Sequence, residues 1–169
     1  MFNTLIEVLL FSTSLLYFLL GSWVILDSRK NRLNRVFFLE CLAVSGWAFM
    51  IGLAELSFSR GAARGALSVG FGYFFGSFVP YFFYLTCKAF PEETPSRPVR
   101  DRLIFLACVL SILLGFTGKI ATNLYIHPGT AYYRFEIGWG FVYFAFYVLA
   151  LGTLAVGLIT TKYRQTKNR

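Results

Sequence analysis

Three glutamates, Glu7, Glu40 and Glu55, lie inside long apolar stretches, and they are the residues of this chain best suited to chemistry. A carboxylate at mid-membrane costs a few kcal/mol, so each one needs a reason to be there. A pair of them could activate water for hydrolysis within a membrane. Glu40 and Glu55 stand on one predicted helix, however, and a rise of 1.5 Å per residue puts them about 22 Å apart. They cannot act together. Glu7 and Glu55 lie about one turn from the same surface, on neighbouring segments of opposite direction. The ordinary account is an interfacial position, hydrated or paired with Arg60 or Arg64. The functional account is an outward-facing cavity in which both contact a ligand or a cation. Glu40 sits one turn in from the other surface, where an ion pair with Lys88 or Arg102 is expected.

The third apolar stretch is crowded with aromatic residues, from Phe71 through Phe78 to Tyr84, spread over every helical face. Packing explains most of them. Gly72 and Gly76 form a G-x-x-x-G step that lets two helices approach closely. Pro80 should kink this helix, because its ring displaces a backbone hydrogen bond. A kinked aromatic helix beside Phe141, Tyr143, Phe144 and Tyr147 could enclose an apolar cavity. Trp47, Phe78, Pro80 and Tyr143 therefore join Glu7 and Glu55 as candidate ligand-binding residues. His127, the one histidine, is expected to be an ordinary surface residue. Cys41, Cys87 and Cys108 show no metal-ligand spacing and are expected to be small packing residues. No phosphate-binding loop, nucleophile elbow or His-Glu-x-x-His motif occurs, so neither catalysis nor a cofactor or metal is expected.

The elements that hold these residues follow from composition. The chain is 57% hydrophobic and 20% aromatic but only 14% charged, which excludes disordered, collagenous and disulfide-framework classes and an ordinary soluble enzyme. About 20 apolar residues make a helix that crosses a bilayer. Five stretches meet or approach that length: 5–26, 36–58, 66–90, 103–121 and 137–161. The expected fold is all-α, a polytopic membrane bundle of five transmembrane helices forming a single domain over 1–169.

Charge orients it. Arg29, Lys30, Arg32, Arg35, Lys88, Arg97, Arg100, Arg102, Lys162, Arg164, Lys167 and Arg169 would lie on one side. Arg60, Arg64, Lys119 and Arg134 would lie on the other, twelve against four. The positive-inside rule makes the first set cytoplasmic, with the N-terminus outside and the C-terminus inside. The net charge of +8 is thereby explained by topology, and no nucleic-acid partner is expected. No basic residue precedes the first stretch, so it is a span and not a signal peptide. On the outer side, Tyr125 and His127, then Tyr132, Arg134 and Glu136, alternate around Pro128-Gly129, as in a two-stranded hairpin.

Several of these residues together resemble a known family. A basic turn, Arg29-Lys-Asn-Arg-Leu-Asn-Arg35, precedes Val36-Phe-Phe-Leu. Trp47-Ala48 and Leu53-Ala-Glu-Leu56 follow in the second span, then Val79-Pro80 and Lys88-Ala-Phe-Pro91 in the third. Thr122-Asn123-Leu124, Gly138-Trp-Gly-Phe-Val-Tyr143 and a last helix ending Lys162-Tyr-Arg-Gln complete the pattern. It resembles the seven-helix N-terminal sensor region of bacterial histidine kinases. The resemblance implies an input module that receives a signal in or at the membrane and passes it to a cytoplasmic output. Trp47, Glu55 and Pro80 are the matching positions of first interest.

The same resemblance, with helical spans, implies a bacterial inner membrane. The partners it implies are the lipid bilayer, a second copy in a homodimer, and an output domain in cis or a partner membrane protein. The chain departs from the family in having five spans and no phosphoacceptor or ATP-binding domain, so it is expected to be a piece of a longer sensor or a free-standing relative, and no enzyme by itself. Two other functions compete: a small subunit that packs against a partner protein through the glycine track, and a transporter or channel component. An apolar midplane argues against transport, which commonly uses charged residues or broken helices there.

Overall fold

The computed structural model describes residues 2–59, 65–90, 98–126 and 133–167. They form five helices, α1 (Phe2–Asp27), α2 (Arg32–Ser59), α3 (Gly65–Ala89), α4 (Pro98–Phe116) and α5 (Trp139–Lys167). Between α4 and α5 lies a hairpin of β1 (Ala121–Ile126) and β2 (Tyr133–Ile137). Stretches over Thr4–Asp27, Arg32–Ser57 and Trp139–Gln165 are long and apolar enough to cross a bilayer.

The helices run past the apolar stretches at the end rich in Lys and Arg, called the basic end below. α2 begins at Arg32 where the apolar run begins at Val36, α4 begins at Pro98 where it begins at Leu103, and α5 continues to Lys167. Hydrophobicity marks the part of a helix that belongs in hydrocarbon, while the backbone goes on into the polar boundary. At the opposite, hairpin end the fourth stretch was expected to reach Ala121, and α4 stops at Phe116. Gly118 takes φ +68° there. Its N–H reaches Gly115 O at 3.3 Å and the Lys119 N–H reaches Leu114 O at 3.2 Å. This pair of bonds around a left-handed glycine is a Schellman stop, and it frees the next residues to form a strand.

The expected hairpin is present in β1 and β2, antiparallel, with Tyr125 opposite Arg134, Thr122 opposite Glu136 and a bulge between Thr122 and Leu124. His127, Pro128 and Gly129 lie outside the described residues. Two bonds fix the ribbon to the start of α5, Gly138 N to Ile120 O and Gly140 N to Lys119 O, both 3.0 Å. Gly140 is required there, since a Cβ would stand 2.8 Å from the Lys119 carbonyl oxygen.

α2 packs between α1 and α3, and α3 in turn carries α4 and α5, which touch each other much less. Glycines set the close contacts between α2 and α3. Gly72 lies under Ile51, Gly76 under the Trp47 indole, and Gly46 against the Phe75 ring. Pro80 is buried within α3, and the helix runs on through it to Ala89. Buried Tyr84, Ile104, Cys108, Tyr147 and Leu151 make the core where α3, α4 and α5 meet.

Candidate functional site

At the hairpin end a cavity of about 260 Å³ opens between α2, α3, the hairpin and α5. Ile51, Ala54 and Glu55 come from α2, Val69 and Tyr73 from α3, and Phe141 from α5. Ile120, Ala121, Glu136 and Ile137 close it from the hairpin. Its wall is mostly apolar, with two carboxylates at the rim. Each is positioned by its element: Glu55 is half-buried near the last turn of α2, and Glu136 is the penultimate residue of β2, opposite Thr122. Tyr73 is held edge-on by Phe144, ring centroids 5.4 Å apart and planes at 85°. Two acceptors beside an apolar wall suit a small amphiphile that carries positive charge or hydrogen-bond donors.

The structure divides the six candidates drawn from sequence. Glu55 lines the cavity, and Glu7, on α1, lies close enough for its charge to act on Glu55. Arg60 and Arg64, the expected partners of these glutamates, lie outside the described residues. Trp47 belongs to the seam between α2 and α3, over Gly76. Phe78 stacks on Phe82, with centroids 5.5 Å apart and planes at 17°, and packs against the core. Pro80 is likewise buried within α3, away from the cavity lining. Tyr143 lies along α4, its hydroxyl donating to Ala107 O at 2.8 Å. Glu136 and Tyr73 are cavity residues that sequence reasoning missed in this role. Glu136 was legible only as part of a strand, and Tyr73 was one aromatic among nine. Among the described residues no cluster of His, Cys, Asp and Glu could hold a metal ion.

A family model described as the N-terminal 7TM region of histidine kinase matches residues 9–169. The chain belongs to this family. No curated protein and no solved structure gives a significant match. The histidine-kinase family indicates a sensor region, and its apolar helices make it a membrane protein.

Two further polar centres of this kinase sensor region bear on how α5 is held. The first lies at mid-depth, where an apolar interior was expected. Pro80 has no N–H for the preceding turn of α3, and its ring crowds that turn. Ser77 O, in that turn, receives the Tyr147 hydroxyl at 2.8 Å and the Cys108 thiol at 3.5 Å. Ser77 Oγ lies 2.8 Å from Ser111 Oγ. The carbonyl that loses its helical donor to Pro80 is that of Gly76, so these bonds tie α4 and α5 to α3 one residue beyond it, in the turn that the proline disturbs. A second serine pair, Ser14 and Ser45 with Oγ atoms 3.1 Å apart, joins α1 to α2.

The second centre is at the basic end. Lys88 is buried and pairs with Asp101 Oδ2 at 2.5 Å, while the Tyr84 hydroxyl donates to Asp101 Oδ1 at 3.1 Å. The expected pairing of Glu40 with Lys88 or Arg102 is therefore corrected: Glu40 Oε2 accepts from the Thr86 hydroxyl at 2.7 Å, and Lys88 turns to α4. Lys162 of α5 donates to the carbonyls of Cys87, Lys88 and Phe90 at 3.1, 2.8 and 2.8 Å. Cys87 and Lys88 are in the last turn of α3, whose carbonyls have no helical partner, and Phe90 follows directly; a cation there also meets the negative end of the helix dipole. The three cysteines are free and buried.

Proposed function

We propose that this region is the signal-receiving part of a bacterial inner-membrane signalling protein of the histidine-kinase type. In this reading all five helices span the membrane, with the N-terminus outside and the basic end in the cytoplasm. The ligand enters the cavity at Glu55 and Glu136 and is a small amphiphile with a cationic or donor group. Its arrival moves α5, which carries the change to a cytoplasmic output, in cis or on a partner membrane protein, within a homodimer.

One observation carries this reading: α5 is a single helix that lines the cavity with Phe141 and caps the end of α3 with Lys162. A contact made at one end of a rigid helix is thereby tied to the end nearest an output. The positive-inside rule supports this orientation, because the sequence divides its basic residues twelve to four between the two sides. The test is a kinase or reporter assay on the full-length protein in cells. Glu55→Gln with Glu136→Gln is expected to shift the response to stimulus at least tenfold while membrane insertion stays unchanged. An unaltered stimulus response in that double variant would remove the cavity from the mechanism.

A further inference from the structure

The cavity at the hairpin end has depth as well as a rim. α2 and α3 run antiparallel, with Gly72 under Ile51 and Gly76 under Trp47. That register sets Val69 nearly level with Ala54, and Tyr73 nearly level with Ile51, all four on the cavity wall. Glu55 stands four residues nearer the hairpin end than Ile51, so Tyr73 is rooted about 6 Å deeper than Glu55 at 1.5 Å per residue. Helical side chains lean toward the N-terminus of their helix, which for α3 is the hairpin end. The Tyr73 ring therefore rises from the floor toward the rim.

Neighbouring helices fix that ring. α4 passes so close that a Cβ at Gly115 would stand 2.8 Å from Tyr73 Cβ. Phe144 of α5 meets the ring edge-on, with centroids 5.4 Å apart. The hydroxyl is another matter. Tyr84, Tyr143 and Tyr147 spend theirs on Asp101, Ala107 O and Ser77 O. Those of Tyr73 and Tyr81 bond none of the described residues, and of these two Tyr73 is the one that lines the cavity. Among the described residues Arg100 Nε is the buried side-chain polar atom left without a partner, so the Tyr73 hydroxyl keeps open surface. A ligand that displaces water from it and offers no hydrogen bond in return leaves it unsatisfied, at a cost in affinity.

We propose that Tyr73 is a ligand-binding residue of this cavity and selects ligands with a second polar group, a neutral hydroxyl or carbonyl, at the far end of an apolar body. The inference rests on the cavity reading given above, in which Glu55 and Glu136 hold a cationic or donor group at the rim. It narrows the ligand from any small amphiphile of that kind to an amine whose apolar body, lying against Ile51, Val69 and Phe141, ends in a hydrogen-bonding group that Tyr73 meets.

The test is equilibrium dialysis of the full chain in lipid nanodiscs against hexylamine or aminohexanol, with empty nanodiscs as the blank. The two amines share a charge and an apolar body and differ in the terminal hydroxyl. Tyr73→Phe keeps the ring and its packing and removes the phenolic oxygen. It is expected to weaken aminohexanol about tenfold and hexylamine less than about twofold. Glu55→Gln with Glu136→Gln is expected to weaken both amines alike, because both present the same charge to the rim. If Tyr73→Phe weakens the two amines equally, or weakens neither, the assignment of Tyr73 is overturned, while losses in the double glutamine variant still uphold the cavity. If neither amine binds above the empty nanodiscs, or binding is indifferent to the double glutamine variant, the cavity reading is overturned and the Tyr73 assignment with it.

Discussion

Asp101 determines what becomes of the buried Lys88. With the carboxylate present, the ammonium has a partner at 2.5 Å in a site from which water is largely excluded. Asp101→Asn leaves that charge buried and unanswered, a change that costs about 3–5 kcal/mol. Thermal unfolding in detergent should therefore show a large loss for Asp101→Asn and substantial recovery in the double variant Lys88→Met with Asp101→Leu. The same end shows how far residue types alone can be read. That Glu40, Lys88 and Arg102 share one end of the bundle was legible, because charges cluster where apolar stretches stop. Which of them touch was not. Asp101 lies in the first turn of α4, the turn that continues beyond the apolar run, so hydrophobicity hid the partner Lys88 uses.

Close packing of elements yields a graded prediction. A Cβ at Gly46 would meet three atoms of the Phe75 ring at 2.5–2.7 Å, whereas one at Gly72 would meet the tip of Ile51 at 2.8 Å. An aliphatic tip can rotate away and a wedged ring cannot. Gly46→Ala should cost about 1–3 kcal/mol, and Gly72→Ala distinctly less, in the same unfolding measurement. The proline turn of α3 allows a second test. If Tyr147 serves the turn that Pro80 disturbs, Tyr147→Phe should cost about 1 kcal/mol in the parent and clearly less in a Pro80→Ala background, where the helix can close its own bonds. Equal costs in both backgrounds would separate the hydroxyl from the proline. The G-x-x-x-G step was visible in sequence as spacing, and its partner, the Trp47–Ile51 face of α2, was not. A motif of small residues announces a close approach without naming what approaches.

For the whole molecule, the membrane reading predicts a labelling pattern. In a variant lacking Cys41, Cys87 and Cys108, Ser28→Cys should react with a membrane-impermeant maleimide only after lysis, and Ile137→Cys in intact spheroplasts. The reverse pattern would invert the bundle and place the cavity of Glu55 and Glu136 in the cytoplasm. Much of the molecule was fixed by local physics that a sequence carries in itself. Apolar length sets the helices, charge asymmetry sets their proposed direction, and turn residues set the hairpin, because each depends on neighbours along the chain. Where α4 stops depended on one left-handed glycine within an apolar run, and was legible only as an interruption. The cavity, the bond from Tyr147 to Ser77 O and the Lys162 cap on α3 were decided by tertiary structure. Each joins residues that are distant in sequence and contributed by different helices, and in a chain this uniformly apolar the pattern of hydrophobicity does not distinguish which faces will meet.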